Sequence, residues 1–600
     1  MTALHTFHIP VLGLSYSIDT PVKVARFGIS SVVSIIEDEL VEKMRAYHSL
    51  KNGLPYIPIT TKDEDFRARR ITAYLDTLQH IINEQVAKMK NMPFDEGNDL
   101  VKYFELLPDQ SPVKALYNTM LSTPDVSIKA QLKQELKDAI VPGAIDVNIM
   151  SKVDNLGTDA NGNPLPVEYS DALSALRGYA KSTLHSSVVL SAGYNPRLYA
   201  YAENFKDFFP DNSGHLQKKL ILKVSDYRSA LIQGKLMAKK GIWVSEFRIE
   251  SGLNCGGHAF ATDGLLLGPI LEEFKQKKQE LYTELLTLCN SANAAKGNNR
   301  LATQPGMRIT VQGGIGTAHE DELLRTYYQV DGTGWGSPFL LVPEATNVDN
   351  DTLQQLATAV PDDYYLSDAS PLGVPFNNFR KSSSEVQRND RFVAGRPGSP
   401  CYKKFLATNT EFTPTPICTA SRQYQDLKID QLKAQALPEE AFQAALSKII
   451  EKDCLCEGLS AAALIKGNIP LSHKLSAVTI CPGPNLAYFS GVFSLKEMVD
   501  HIYGRTNLLN SVPRPNMFVN ELNLYIDYLK KEIEKCADEL SKKQQNFFNN
   551  FKENLLSGIN YYKQILPDLK RESAQYLNTM LNQLTECQAT LSNLKFGVLA

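Results

Sequence analysis

Apolar positions recur along this chain in short blocks separated by helical stretches, beginning with IPVLGL (residues 9–14) and ISSVVSIIED (29–38). The first is apolar and ends at a glycine turn, and the second is short and β-branched, so each predicts a strand. Between them DTPVKVARFG (19–28) has a cap residue, a proline two places on and apolar positions at helical spacing. After an interval six more blocks read as strands: AIDVNIM (144–150), SSVVLSAG (186–193), KLILKVSD (219–226), IWVSEFRIESG (242–252), RITVQGGIG (308–316) and VDGTGWGS (330–337). Each ends in Gly, Ser, Asp or Asn, or runs into a turn, and most lead into a helical stretch. Eight strands alternating with helices predict an α/β fold, a TIM (β/α)8 barrel, with strand C-termini at the active face.

Two departures interrupt the alternation. Residues 55–139 carry long, charged, helical patterns such as FRARRITAYLDTLQHIINEQVAKMK, read as a helical insertion. The barrel is then assigned to residues 1–54 and 140–345. Residues 346–510 are rich in Pro, Gly, Asn and Cys, as in PLGVPFNNFR, AGRPGSPCYKKF and CPGPN, and read as an irregular extension or a lid over the barrel. Residues 511–600 read as a C-terminal helical bundle packed on the surface, with a homo-oligomer contact as the alternative.

Composition narrows the class. The chain has 600 residues, 43% hydrophobic and 22% charged, with a net charge of −3. Those values describe a globular protein and give no electrostatic case for nucleic acid or a membrane surface. The start, MTALHTFHIPVLG, lacks the basic and apolar regions of a signal peptide, and no apolar run reaches transmembrane length, so a cytoplasmic location is expected. Nine scattered cysteines do not make a disulfide scaffold.

The candidate chemistry lies at strand ends. The seventh strand ends QGGIG, with Gly313 and Gly314, and the eighth ends GTGWGS, with Gly334, Gly336 and Ser337. Glycines let backbone N–H groups approach a phosphate, and barrels of this type bind phosphate after strands 7 and 8. Gly13 ends the first strand and would let a flat ring pass close to backbone. Lys223 on the fifth would stabilise the negative charge of a reduced flavin, or be merely a solvated lysine. The sixth leads into ESGLNCGGHAF, placing His258 just past Gly256 and Gly257.

The order of these pieces resembles the nitronate monooxygenase (2-nitropropane dioxygenase) family and its relatives, the flavin-dependent enoyl-ACP reductases. Those proteins show a strand leading to Glu-Ala-Gly-Gly-His, then a Gly-Gly loop, then an ADG…MGTRF segment. The stretches here are LILKVSDYRSALIQGKLMAKKGIWVSEFRIESGLNCGGH and ITVQGGIGTAHEDELLRTYYQVDGTGWGSPFLLVPEA, and the resemblance covers residues 8–40 and 140–345. It implies noncovalent FMN, its phosphate held by Gly313, Gly314, Gly334, Gly336 and Ser337. Gly13, Lys223, Gly256 and Gly257 would lie by the ring, and His258 would bind substrate or move a proton. Asn254, Cys255 and Phe260 depart from the family pattern at Glu, Ala and Gly positions, which leaves the substrate open.

Five cysteines fall between positions 401 and 481. Thiolates on Gly- and Pro-rich loops suit an iron–sulfur centre, with Cys454, Cys456, Cys481 and one of Cys418 or Cys401 as ligands; unconnected reduced thiols are the alternative. GTDANGNP (157–164) lacks the closing glutamate of a calcium loop and reads as a turn. The basic run RARR (67–70) follows KDEDF and reads as a solvated helix start. The leading expectation is an FMN-dependent oxidoreductase acting on a small carbanion- or enone-type substrate, with NAD(P)H or an electron carrier as redox partner. The alternatives are an enoyl thioester reductase, an FMN/iron–sulfur reductase, and a non-catalytic scaffold that binds a protein partner.

Overall fold

The computed structural model describes residues 4–158, 163–191, 193–259, 263–471, 476–536, 540–569 and 573–594. Phe260 and the centre of GTDANGNP lie outside those residues. Eight strands, β1 (Phe7–Ile9), β2 (Ser30–Ser34), β3 (Ile145–Met150), β4 (Ser187–Ser191), β5 (Lys219–Val224), β6 (Val244–Glu250), β7 (Arg308–Gln312) and β8 (Gly332–Gly334), pair in sequence order. Every pair is parallel, and β8 returns to β1 through Phe7↔Thr333 and His8↔Gly334, which closes the barrel. The expected (β/α)8 barrel is therefore the fold; seven strands fall within the blocks read from the sequence, and β1 lies two residues earlier than its block, sharing only Ile9 with IPVLGL. Closure leaves no exposed edge, because β-branched strands buried on both faces need a neighbour on each side.

The insertion begins after the helix Asp38–Lys51 that follows β2. Its first helix, Phe66–Lys90, packs between that helix and Asp171–Lys181, in the ring around the barrel. The run RARR is not a solvated helix start throughout. Arg70 is buried against Asp38 (2.7 Å), and Arg67 bridges Asp38 (3.1 Å) and Asp171.

After the barrel, β9 (Tyr364–Ser367) and β10 (Phe376–Phe379) form an antiparallel hairpin that reaches back to the loop after β6. Three helices, Met517–Glu534, Lys542–Ile565 and Ala574–Asn593, pack on one another. The first two also pack on Leu267–Ala295, the helix after β6. One apolar core runs continuously from barrel to C-terminal helices, so the additions are built onto the barrel. Among the described residues no helix is long and apolar enough to cross a membrane.

Candidate active site at the barrel mouth

Side chains on parallel strands that pair in register point to the same face, so the register identifies what lines the lumen. On β6 the alternation VSEFRIE sends Glu246, Arg248 and Glu250 inward while Phe247 and Ile249 meet the surrounding helices. Arg248 donates to Glu246 (2.8 Å) and lies 3.8 Å from Asp146 on β3; Arg308 approaches Glu246 (3.3 Å) and Thr310 donates to it (2.6 Å). Burial opposes the charge on Glu246, but the Arg248 and Arg308 guanidiniums outweigh it and hold its carboxyl at about 2. A small apolar cluster, Val32, Val189 and Ile221 with Val11, fills the rest. Most barrels of this type fill the lumen with branched apolar side chains, so this charged floor is unusual.

Above the floor the lumen opens at the strand C-termini. Lys223 pairs with Glu250 (2.6 Å), and Glu250 also accepts from Gln312 (2.8 Å). Among the described residues the buried Asn148 Oδ1 and Ser151 Oγ have no hydrogen-bond partner, and Gln312 and His8 have only each other's side chains to satisfy Oε1 and Nε2. Burial, then the Arg248 charge, keeps His8 neutral. Unpaired buried polar atoms are costly, so their gathering at a mouth marks a place where a polar ligand or water completes them. A cavity of about 230 Å³ opens here, lined by Lys152, Gly193, Lys223, Ser225, Glu250 and Asn254, among others.

The loop after β6 forms one rim. Asn254 takes a positive φ of 21° and holds the turn through its amide. Its Nδ2 donates to the His258 carbonyl (2.8 Å), while its Oδ1 accepts from Gly256 N–H (2.9 Å) and Asn377 (2.9 Å). A glutamate carboxylate has no donor for the first of these bonds, so the turn as built calls for an amide at this position. From behind, Glu521 of the helix Met517–Glu534 accepts from Ser251 Oγ (3.0 Å), Gly252 N–H (2.9 Å) and Leu267 N–H (2.8 Å).

His258 sits where the loop meets β10, bridging Phe376 with its backbone and stacking edge-on against that ring (5.2 Å). Its Nε2 lies 2.7 Å from Ser370 Oγ. Burial, then the charges of Lys152 and Lys223, lower its pKa to about 4, so the imidazole is neutral at pH 7. Of the two roles expected of His258, binding substrate or moving a proton, a neutral imidazole suits hydrogen bonding to a substrate.

The expected phosphate cradle is filled by protein. A Cβ on Gly313 would lie 2.7 Å from Asn254 Cα, one on Gly314 2.6 Å from the Leu253 side chain, and one on Gly336 2.6 Å from Cys255 Cβ. Gly334 packs under Gln312 and His8. The Ser337 hydroxyl donates to the Cys255 carbonyl (2.9 Å) and accepts from Gly483 N–H (2.7 Å). The anion held after β7 is the chain's own Glu320, which accepts from Gly316 N–H (2.8 Å), Met517 N–H (2.8 Å) and Arg514 (2.7 and 2.9 Å). Gly313, Gly314, Gly334, Gly336 and Ser337 therefore do not fit a phosphate. Gly13 turns against Tyr16 and Gly256 against the Cys481 carbonyl, whereas Gly257 faces open space.

Of the cysteines assigned to a metal, Cys481 belongs to the β6 rim, where its carbonyl accepts Gly257 N–H (3.0 Å). Cys401, Cys418, Cys454 and Cys456 gather elsewhere on the extension. Among the described residues no group of three or more His, Cys, Asp or Glu side chains is arranged to hold a metal ion. The site residues that sequence reasoning missed are Asn148, Lys152, Glu250 and Gln312. The charge alternation of SEFRIE was the signal for Glu250.

A scan against protein families and a search of curated proteins give no match. Among solved structures, FabK from Thermotoga maritima aligns over 68% of this chain and 85% of its own, at 12% identity and a TM-score of 0.28. A point mutant of that FabK aligns over 64% and 80%, at 12% identity and a TM-score of 0.27. The class of protein that the closed strand order defines is a (β/α)8 barrel.

Proposed function

We propose that the barrel mouth is the active site of a flavin-dependent oxidoreductase acting on a small carbanion- or enone-type substrate. The observation that carries the reading is the inward set of Lys223 and Gln312, both on the Glu250 carboxylate, and Asn148, whose buried Oδ1 has no partner among the described residues. The pyrimidine edge of a flavin offers one N–H donor and several acceptors, and Asn148, Gln312 and Lys223 supply the matching groups. The fit extends to the ring end alone, and no residue is assigned to the phosphate. A bound flavin would supply two-electron transfer, drawing on the substrate or on NAD(P)H.

The chain's own residues orient and polarise. Glu250 fixes Lys223, so the ammonium stays aimed at the mouth. Neutral His258 donates a hydrogen bond to a substrate oxygen, nitro or carbonyl, and so favours negative charge developing there. The hairpin β9–β10 covers His258 and limits water at the rim. A second reading, a barrel kept as a scaffold for a protein partner, is favoured by the packed glycine loops. Turnover separates the two: with candidate nitronate and enone substrates, the His258→Ala variant should bind flavin normally and lose about 10²-fold or more in kcat/KM. Unchanged turnover would make His258 a structural residue, and an unaltered protein that turns over neither substrate class would favour the scaffold.

A further inference from the structure

The extension brings four thiols together from three stretches of chain, and nothing in the reading of the barrel mouth uses them. The segment from Ser399 to Ser421 leaves and returns to the same place. Ser399 N–H donates to the Ala420 carbonyl (2.9 Å) and Arg422 N–H to the Ser399 carbonyl (2.8 Å), which fixes the base of a loop. Further out, Asn409 and Ile417 exchange both backbone hydrogen bonds (3.0 and 2.8 Å). Cys401 and Cys418 lie between these two clasps, and their side chains hydrogen-bond to each other. Cys401 takes a left-handed backbone, φ 57°, with its N–H on Ser399 Oγ (3.3 Å).

We propose that Cys401 and Cys418 form a reversible disulfide, made by exchange with a low-molecular-weight disulfide that reaches Cys401 from solvent. The two thiols are unequal in the way exchange requires. Cys401 is half-buried, whereas Cys418 is buried with only 5% of its surface exposed. The hydrogen bond from Cys418 is the main cause holding the Cys401 thiol below its ordinary pKa, helped by Lys404 N–H and the Lys404 charge. The same bond raises the pKa of Cys418. Cys401 is thus the attacking thiolate and Cys418 the resolving thiol.

The chemistry balances without a further reagent. The Cys401 thiolate attacks one sulfur of the small disulfide, its S–S bond breaks, and one small thiolate leaves. Cys418 then gives up its proton and attacks Cys401 Sγ, and the second small thiol leaves as the protein disulfide forms. Two cysteine thiols are oxidised and one small disulfide is reduced to two thiols. Cys454 and Cys456 stay reduced; burial pushes the Cys454 thiol up to about 11 and the Cys456 thiol higher. Among the described residues the four thiols, though neighbours, are not arranged as a group of three or more that could hold a metal ion. Oxidation also fixes the turn seated on the barrel rim, where Lys403 approaches Glu37 (3.4 Å) and the Phe405 carbonyl accepts from Asn155 (3.0 Å).

The test uses the full chain, incubated with oxidised glutathione, blocked with iodoacetamide and digested for mass spectrometry. The expected product is a peptide linked through Cys401 and Cys418, released by dithiothreitol. Cys418→Ser should stop at a glutathione adduct on Cys401, and Cys401→Ser should show neither adduct nor link at Cys418. Alkylation of both residues after treatment, or a link between other cysteines, overturns the proposal. So does stoichiometric iron and sulfide in the purified chain that is lost in Cys401→Ser. If a variant fails to fold, the peptide map of the unaltered chain still decides.

Discussion

Burial and the two nearby lysines hold His258 neutral, and this neutrality has a sign that can be measured. Its folded pKa of about 4 lies below the ordinary 6.5, so the folded state resists its protonation. The stability this residue contributes is complete above pH 6.5 and is lost as the pH falls from 6.5 through about 4. An NMR titration of the imidazole should give a midpoint near 4, and His258→Gln should flatten part of the acid-side fall in urea-measured stability. A midpoint near 6.5 would contradict the environment described. At the barrel floor, Glu246→Gln leaves Arg248 buried without its closest charge. The expected cost is about 3–5 kcal/mol by denaturant unfolding, because an uncompensated buried charge is worse than no pair at all. Asn254 shows where residue identity misleads: it is set by the three hydrogen bonds of its own turn, and the turn is visible only once β10 is in place.

At the scale of loops and helices, the glycines after β7 and β8 are legible as close approaches, but what approaches them was not. QGGIG and GTGWGS announce that something lies against bare backbone, and spacing cannot tell a phosphate from Leu253, Asn254 and Cys255. Those partners lie far earlier in the chain and Arg514 far later, beyond the reach of any local pattern. Gly314, at φ 77°, illustrates the consequence. Gly314→Val should lower global stability by about 1–3 kcal/mol through overpacking against Leu253, with further strain from its backbone angle. Flavin binding by the fraction that remains folded should be unchanged; selective loss of flavin from a protein of normal stability would restore the phosphate assignment. The Glu320–Arg514 pair anchors this corner. Arg514→Met should cost about 3–5 kcal/mol, and adding Glu320→Gln should recover part of it, as a double-mutant cycle in urea would show.

Across the whole molecule the barrel was readable because eight short buried strands, each ended by a turn, are a local signal repeated eight times. The additions were legible as helices or irregular chain, and their service to the site was not. Glu521 of the C-terminal helices holds the loop carrying His258, and Asn377 of the extension holds Asn254, both through single side chains far apart in sequence. The central claim is that this assembly presents Lys223, Asn148 and Gln312 to the ring of a flavin. The most direct measurement is the visible absorption spectrum of the purified chain, before and after flavin is added, beside that of a Lys223→Met, Asn148→Ala variant. The account predicts the two visible bands of a protein-bound flavin in the unaltered chain and their loss in the variant at equal folded content. A colourless chain whose added flavin keeps the spectrum of free flavin, or a variant that binds it unchanged, would contradict it.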